Sequence, residues 1–270
     1  MSNRSAHFAE RYGPWAVVAG ASEGMGRAYC LQLADRGLSV FMIARQAERL
    51  DATADEVRAR GAEARTLSLD LASEDLLSRL EPHVSELEVG LLVYNAGLST
   101  QNHYFETDLA QHLQMINVNC RGPVLLSHYF GRAMATRRRG GIILMSSAAG
   151  FVGSGLNALY AATKAFDTVL GEGLGQDIEH QGVDVLSMVA GATRTPEFER
   201  SQKGSSPTPI MAPDDVVREA LDSLGRTSMR VAGSNKIAAF LLQRLLPRRL
   251  ATSLLTKASY DLSGHPRPEA

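Results

Sequence analysis

A tyrosine and a lysine stand four residues apart in Tyr160-Ala-Ala-Thr-Lys164, within a stretch of helical spacing, so both side chains project from one face of one helix. An ammonium beside a phenol favours the ionised phenol. A free tyrosine, with a pKa of about 10, is ionised in roughly one molecule in a thousand at neutral pH. A neighbouring cation is therefore what would let Tyr160 exchange a proton with a bound substrate. Two serines, Ser146 and Ser147, end an apolar run upstream. A hydroxyl in that place can donate to an oxygen on which negative charge develops.

A second group of residues has the chemistry of an anion site. Gly20-Ala-Ser-Glu-Gly24-Met-Gly26 follows an apolar run and opens a helical pattern. Gly20 permits the tight turn, Gly24 lets backbone approach a pyrophosphate, and Gly26 allows the helix to pack closely on the strand. Free N–H groups at the helix start would face the anion, with Ser22 and Met25 of the same turn as further cofactor contacts. At the end of the next apolar run, an acid would accept hydrogen bonds from a free ribose 2′-hydroxyl. Ala44-Arg45 stands there instead, and Arg49 follows one turn on. Guanidinium groups suit a 2′-phosphate, so NADP(H) is expected in preference to NAD(H). Glu23 brings a carboxylate towards the same place.

The elements that would position these residues alternate. Strands are expected at about 15–20, 39–44, 64–69, 90–94, 141–146 and 183–189, and helices at about 24–36, 46–60, 73–88, 108–138 with a break near Gly122–Pro123, 158–180 and 214–224. This is the pattern of an α/β doubly wound parallel sheet in a single domain spanning 1–270. In such sheets ligands bind beyond the carboxyl ends of the strands. The polar stretch 193–213 has no clear period and is the expected substrate-covering loop. An apolar and basic segment, 234–257, follows.

With 270 residues, 44% of them hydrophobic, the chain can build one large core. Cys30 and Cys120 lie far apart in apolar stretches, which excludes a CxxC metal cluster and argues for no disulfide framework. No secretion signal and no run of about 18 apolar residues is seen, so a cytoplasmic protein is expected. A formal net charge of -1 gives no reason to expect nucleic acid. Eight Lys/Arg against two acids follow Gly225, so a membrane contact of the basic tail is an open alternative to a solvated surface.

The motifs together resemble the one-domain branch of the short-chain dehydrogenase/reductase family from Trp15 to about Pro196. The resemblance rests on the glycine turn, Asn95-Ala96-Gly97, Asn119 in Asn-Val-Asn-Cys-Arg-Gly, Ser147, and Tyr160 with Lys164. It implies a Rossmann-type fold and hydride transfer between a nicotinamide and a carbonyl or alcohol. Ser147, thirteen residues before Tyr160, is the serine at the family's spacing; Ser146 should point away. The resemblance also implies that Asn119, which the family pattern Asn-x-x-Gly with Gly122 selects over Asn117, holds a water linking Lys164 to solvent, and that Lys164 holds the nicotinamide ribose. Asp70, Asn95, Gly97, Gly191, Thr193 and Thr195 are implied cofactor contacts. The family's proline before Gly191 is Ala190 here, and Ala19 replaces a common threonine. The competing reading, a non-catalytic NADP-binding regulatory protein, would be signalled by loss of Ser147, Tyr160 or Lys164, and all are present.

The segment 234–257 resembles that of family members acting on lipophilic carbonyls such as steroids or fatty-acyl derivatives, although Leu241, Leu242, Leu245 and Leu246 also suit ordinary core. The part before Pro247 is expected beside 193–213, and the part after it on the surface. A homo-oligomer is implied through 108–138 and 158–180, where Ala161, Ala162, Ala165 and Gly173 would permit close approach.

Overall fold

Each apolar run forms a strand, and all the strands run parallel in the order β3-β2-β1-β4-β5-β6-β7. They are β1 (Trp15–Ala19), β2 (Ser39–Ala44), β3 (Ala64–Ser68), β4 (Val89–Tyr94), β5 (Gly140–Ser147), β6 (Val183–Ala190) and β7 (Met229–Val231). The computed structural model describes residues 3–201, 209–233 and 245–266. Helices cover both faces, as a parallel sheet with continuous apolar strands requires. They are α1 (Asn3–Tyr12), α2 (Gly24–Asp35), α3 (Ala47–Arg58), α4 (Leu76–Val84), α5 (Leu109–Ile116), α6 (Gly122–Arg137), α7 (Ala158–Ile178), α8 (Pro196–Ser201), α9 (Pro213–Ser223) and α10 (Arg248–Ser263).

Strand alternation divides the core in two. Ala16, Val18, Val40, Met42, Leu91, Val93, Ile143 and Met145 pack under α2, α3 and α9. Val17, Ala19, Phe41, Ile43, Leu92, Tyr94, Ile142 and Leu144 pack under α4, α6 and α7. The strand order reverses between β1 and β4, both bonded to one another, and that switch point opens the crevice in which the glycine turn lies.

Four features differ from the sequence expectation. α1 and β7 were not anticipated; β7 has only three half-buried residues, too few to show a period. The helical path does not break at Gly122–Pro123. It widens into a π turn at Asn117–Arg121, and Pro123 sits in the first turn of α6, where no N–H is needed. The stretch 193–213 is not wholly irregular, because α8 forms in it and Thr193 bridges in parallel to Met211. Residues 234–244, including Leu241 and Leu242, lie outside the described residues. The part after Pro247 is not simply a surface appendage: it forms α10, with Ala251, Ser259, Tyr260 and Ser263 buried.

Candidate functional site

Helix α7 carries Tyr160 and Lys164 on the expected common face, with Lys164 Nζ 6.0 Å from the centre of the Tyr160 ring. Tyr160 is half-buried; Lys164 is buried, with 5% of its surface exposed. Its ammonium donates to Met145 O at 2.8 Å and to Asp167 Oδ2 at 2.9 Å. Burial disfavours the ammonium, but the charges of Asp167 and Tyr160 outweigh it and hold the Lys164 pKa above its ordinary value. Burial also pushes the Asp167 carboxyl above the usual carboxylate range, against the pull of Lys164.

The two serines diverge. Ser146 is buried, its Oγ 2.6 Å from Lys164 O and 2.7 Å from Thr168 Oγ1, so its hydroxyl ties β5 to α7. Ser147, at the strand's end, is half-buried, and its Oγ accepts the Ala149 N–H at 3.2 Å. The hydroxyl proton of Ser147 thereby stays available.

Asn119 sits in the π turn and is fully buried. Its amide donates to Leu98 O and Thr163 Oγ1, and its Oδ1 accepts the Leu98 N–H, clamping the loop after β4 to α7. Tyr94 donates to Val118 O in the same turn. A Cβ on Gly122 would lie 2.0 Å from that hydroxyl, which gives Gly122 its physical reason. A Cβ on Gly97 would lie 3.5 Å from Lys164 Nζ, so the loop passes directly over the ammonium.

At the other side of the crevice, Gly20 and Gly24 have φ of +82° and +56°, favoured only by glycine. A Cβ on Gly24 would also reach 3.0 Å from the Thr195 methyl, and one on Gly26 would overlap Gly20 O. Asn95 donates to Gly20 O, fastening the turn to β4, while its Oδ1 is buried without a partner. Glu23 precedes α2 with extended backbone and no side-chain cap, which leaves the first N–H groups of the helix for a ligand. Ser22 and Met25 are half-buried beside it.

Arg45 is exposed and makes no ion pair among the described residues, whereas Arg49 pairs with Glu23. Arg200 of α8 donates to the other Glu23 oxygen at 2.7 Å. An anion thus already lies between two guanidinium groups at this place. Asp70 Oδ1 accepts the Ala72 N–H. Thr195 Oγ1 caps α8 at Phe198 N, and the buried Thr193 hydroxyl donates to Gly191 O. The arrangement fits a dinucleotide phosphate chain: a glycine cradle, an uncapped helix start and an arginine cluster.

Sequence reasoning missed Asp167 and Arg200. A charged residue three positions after Lys164 on the inward face of α7 was the available signal for Asp167; Arg200 had none, because its loop carries no period. Helix α10 was also misplaced. Its Thr256 accepts the Gly155 N–H at 2.9 Å, and Ser259 accepts from Asn157, so it buttresses the segment leading into Tyr160.

A doubly wound sheet with a glycine-rich switch point beside a tyrosine–lysine pair defines a nucleotide-dependent oxidoreductase. The chain belongs to the short-chain dehydrogenase family, whose model matches residues 14–205. It is 35% identical over 232 residues to the 7beta-hydroxysteroid dehydrogenase of Clostridium sardiniense, covering 84% of this chain and 88% of that protein. A solved structure from work on 7beta-hydroxysteroid dehydrogenase stereoselectivity superposes with a TM-score of 0.86 at 29% identity, over 92% of this chain and 98% of the other. A short-chain dehydrogenase from Sphingobium yanoikuyae in complex with NADPH gives 0.76 at 26% identity, over 84% and 92%.

Proposed function

We propose that the protein is an NADP(H)-dependent oxidoreductase that interconverts a secondary alcohol and a ketone on a lipophilic substrate of the hydroxysteroid class. The observation that carries this reading is the buried, charged Lys164 under the Tyr160 ring at the carboxyl end of β5. In reduction, Tyr160 gives its phenolic proton to the substrate oxygen; in oxidation it takes that proton back. Ser147 donates a hydrogen bond to the same oxygen, and Lys164 holds positive charge beside the phenol. When bound, the nicotinamide would supply or accept the hydride. Asn119 keeps the loop after β4 in place over Lys164.

Gly20, Ser22, Gly24, Met25 and Gly26 would hold the pyrophosphate side of the cofactor, and Arg45 and Arg49 the 2′-phosphate. Asp70, Asn95, Gly97, Gly191, Thr193 and Thr195 would line the remainder. The steroid-type substrate is supported by the relatedness to 7beta-hydroxysteroid dehydrogenases and by α10 standing beside Ser154–Asn157. We read 1–270 as one domain acting in the cytoplasm; among the described residues no helix is long and apolar enough to cross a membrane.

A homo-oligomer is supported by exposed Leu109, Leu113, Ile116, Val124 and Val169 on α5, α6 and α7. Ala162 and Gly173 share that exposure, but Ala161 is buried in its own chain and has no part in it. Turnover of aliphatic, aromatic and steroid ketones with NADPH and NADH tests the assignment. Reduction of steroid ketones with NADPH is expected; no turnover of any ketone, or equal use of NADH, overturns it.

A further inference from the structure

The Lys164–Asp167 pair is buried on both sides, with 6% and 3% of the side chains exposed, whereas pairs such as Arg65–Glu86 lie open to solvent at 39% and 70%. Replacing a buried ion pair by apolar residues is often neutral or stabilising, so a buried pair is weak evidence of a stabilising role. Asp167 is also poorly placed as a structural hydrogen-bonding group, because its Oδ1 is buried without a partner. Such an atom calls for an explanation.

The geometry of the ammonium supplies one. Of its three N–H donors, two are committed, to Met145 O and to Asp167 Oδ2. The third is left for the crevice. Resting on the reading of Tyr160 and Lys164 given above, we propose that Asp167 is a positioning residue for the reaction: it fixes the direction of the Lys164 ammonium and keeps it protonated while buried.

The groups facing the pair are few. Tyr160 stands on the same helix, Cys120 on the π turn, and Tyr94 on β4, with the charge of Asp70 felt by Tyr94. Burial, with Asp167 adding to it, pushes the Cys120 thiol up to about 11 and raises the Tyr94 phenol well above its ordinary value. Both stay neutral near neutral pH, so among these groups the carboxylate answers only to Lys164. The direction of the effect follows. Burial alone lowers the pKa of an ammonium, and Asp167 leads the groups that reverse it, ahead of Tyr160; without the carboxylate, Lys164 loses its proton at lower pH.

Only four lysines, Lys164, Lys203, Lys236 and Lys257, occur in the chain, so 13C-labelled lysine resonances can follow each one through a pH titration without turnover. In the unaltered protein Lys164 is expected to deprotonate above the ordinary lysine range. In Asp167→Asn it should deprotonate at lower pH than in the unaltered protein, and the alkaline limbs of NADPH affinity and of kcat/KM for alcohol oxidation, where ionised Tyr160 is the active form, should both move to lower pH by about one unit or more. Asp167→Glu should return them towards the original values. An unshifted titration and unshifted limbs in a folded Asp167→Asn protein would overturn the proposal. Should that variant not fold, titration of the unaltered protein still decides: deprotonation of Lys164 at or below the ordinary lysine pKa of about 10.4 overturns it. Tyr160→Phe serves as the control, since activity retained there would refute the Tyr160 reading while leaving the Lys164 titration as a test of the pair.

Discussion

The two ends of the crevice hold their charges in opposite ways. At the α7 end, Lys164 and Asp167 are buried and paired, Lys164 also donates to the Met145 carbonyl, and Ser146, Thr168 and Asn119 lock the surrounding elements together. At the arginine end, Glu23, Arg49 and Arg200 form pairs in which the arginines are about half exposed, and Arg45 has no ion-pair partner among the described residues. Coulomb attraction between buried groups is little screened, so atoms there keep fixed places; exposed pairs contribute about 0–1 kcal/mol and exchange readily. Proton transfer needs the first arrangement. The second arrangement would suit recognition of a phosphate that must come and go, since Glu23 could yield its guanidinium partners to an incoming anion.

The sharpest way to break this contrast is at the phenol. Tyr160→Phe removes only the proton-exchanging group, and kcat should fall by about 10²–10⁴ with NADPH affinity changed by less than about twofold, an effect under roughly 0.4 kcal/mol. Steady-state kinetics and fluorescence titration measure the two. Next, Ser147→Ala should lower kcat by about 10²–10³. Its neighbour Ser146→Ala should instead cost about 0.5–1.5 kcal/mol of stability in thermal melts, because Thr168 and the Lys164 carbonyl lose one partner while keeping each other, with a far smaller loss of kcat. Reversal of these two outcomes would mean that Ser147 is the structural hydroxyl.

At the exposed end the expected effects are smaller. Arg45→Asp should reduce the preference for NADPH over NADH by about tenfold to a hundredfold, the equivalent of one charge-assisted hydrogen bond. Unchanged preference would assign the 2′-phosphate elsewhere. Smallest of all, Glu23→Gln should tighten NADPH binding by up to about fivefold, because only exposed, screened pairs are exchanged. That gain should shrink as salt is raised, whereas the Tyr160→Phe loss should be insensitive to salt.

Much of this was legible in the residues. Five of the six longer strands declared themselves through Val, Ile and Leu, β3 being the more polar Ala64–Ser68, and β2 has the boundaries its sequence suggested. Tyr160 and Lys164 share a face because helical geometry puts them there. What was not legible depended on contacts between distant segments. Asp167 reads as an ordinary helix residue until β5 brings Met145 O to Lys164. The π turn has no compositional mark, and the Tyr94 hydroxyl that donates to Val118 O within it comes from a distant strand. Helix α10 was obscured by Pro247, which reads as an interruption but is in fact the residue before the first turn, where a missing N–H is tolerated.

The π turn at Asn117–Arg121 also sets a phase. One residue in an α-helix advances the side chain by about 100°, and the widened turn accommodates residues that a regular ladder would distribute differently around the axis. Upstream, α5 presents Leu109 and Leu113 to solvent; downstream, α6 aims Leu126 and Phe130 into the sheet. These two faces are correct together only with that widening between them. Loss of one residue from 117–121 would leave the composition of both helices untouched yet rotate one relative to the other, turning Asn119 off the Leu98 backbone or Leu126 out of the core. Length, as well as the Asn119 side chain, is therefore what this stretch cannot vary.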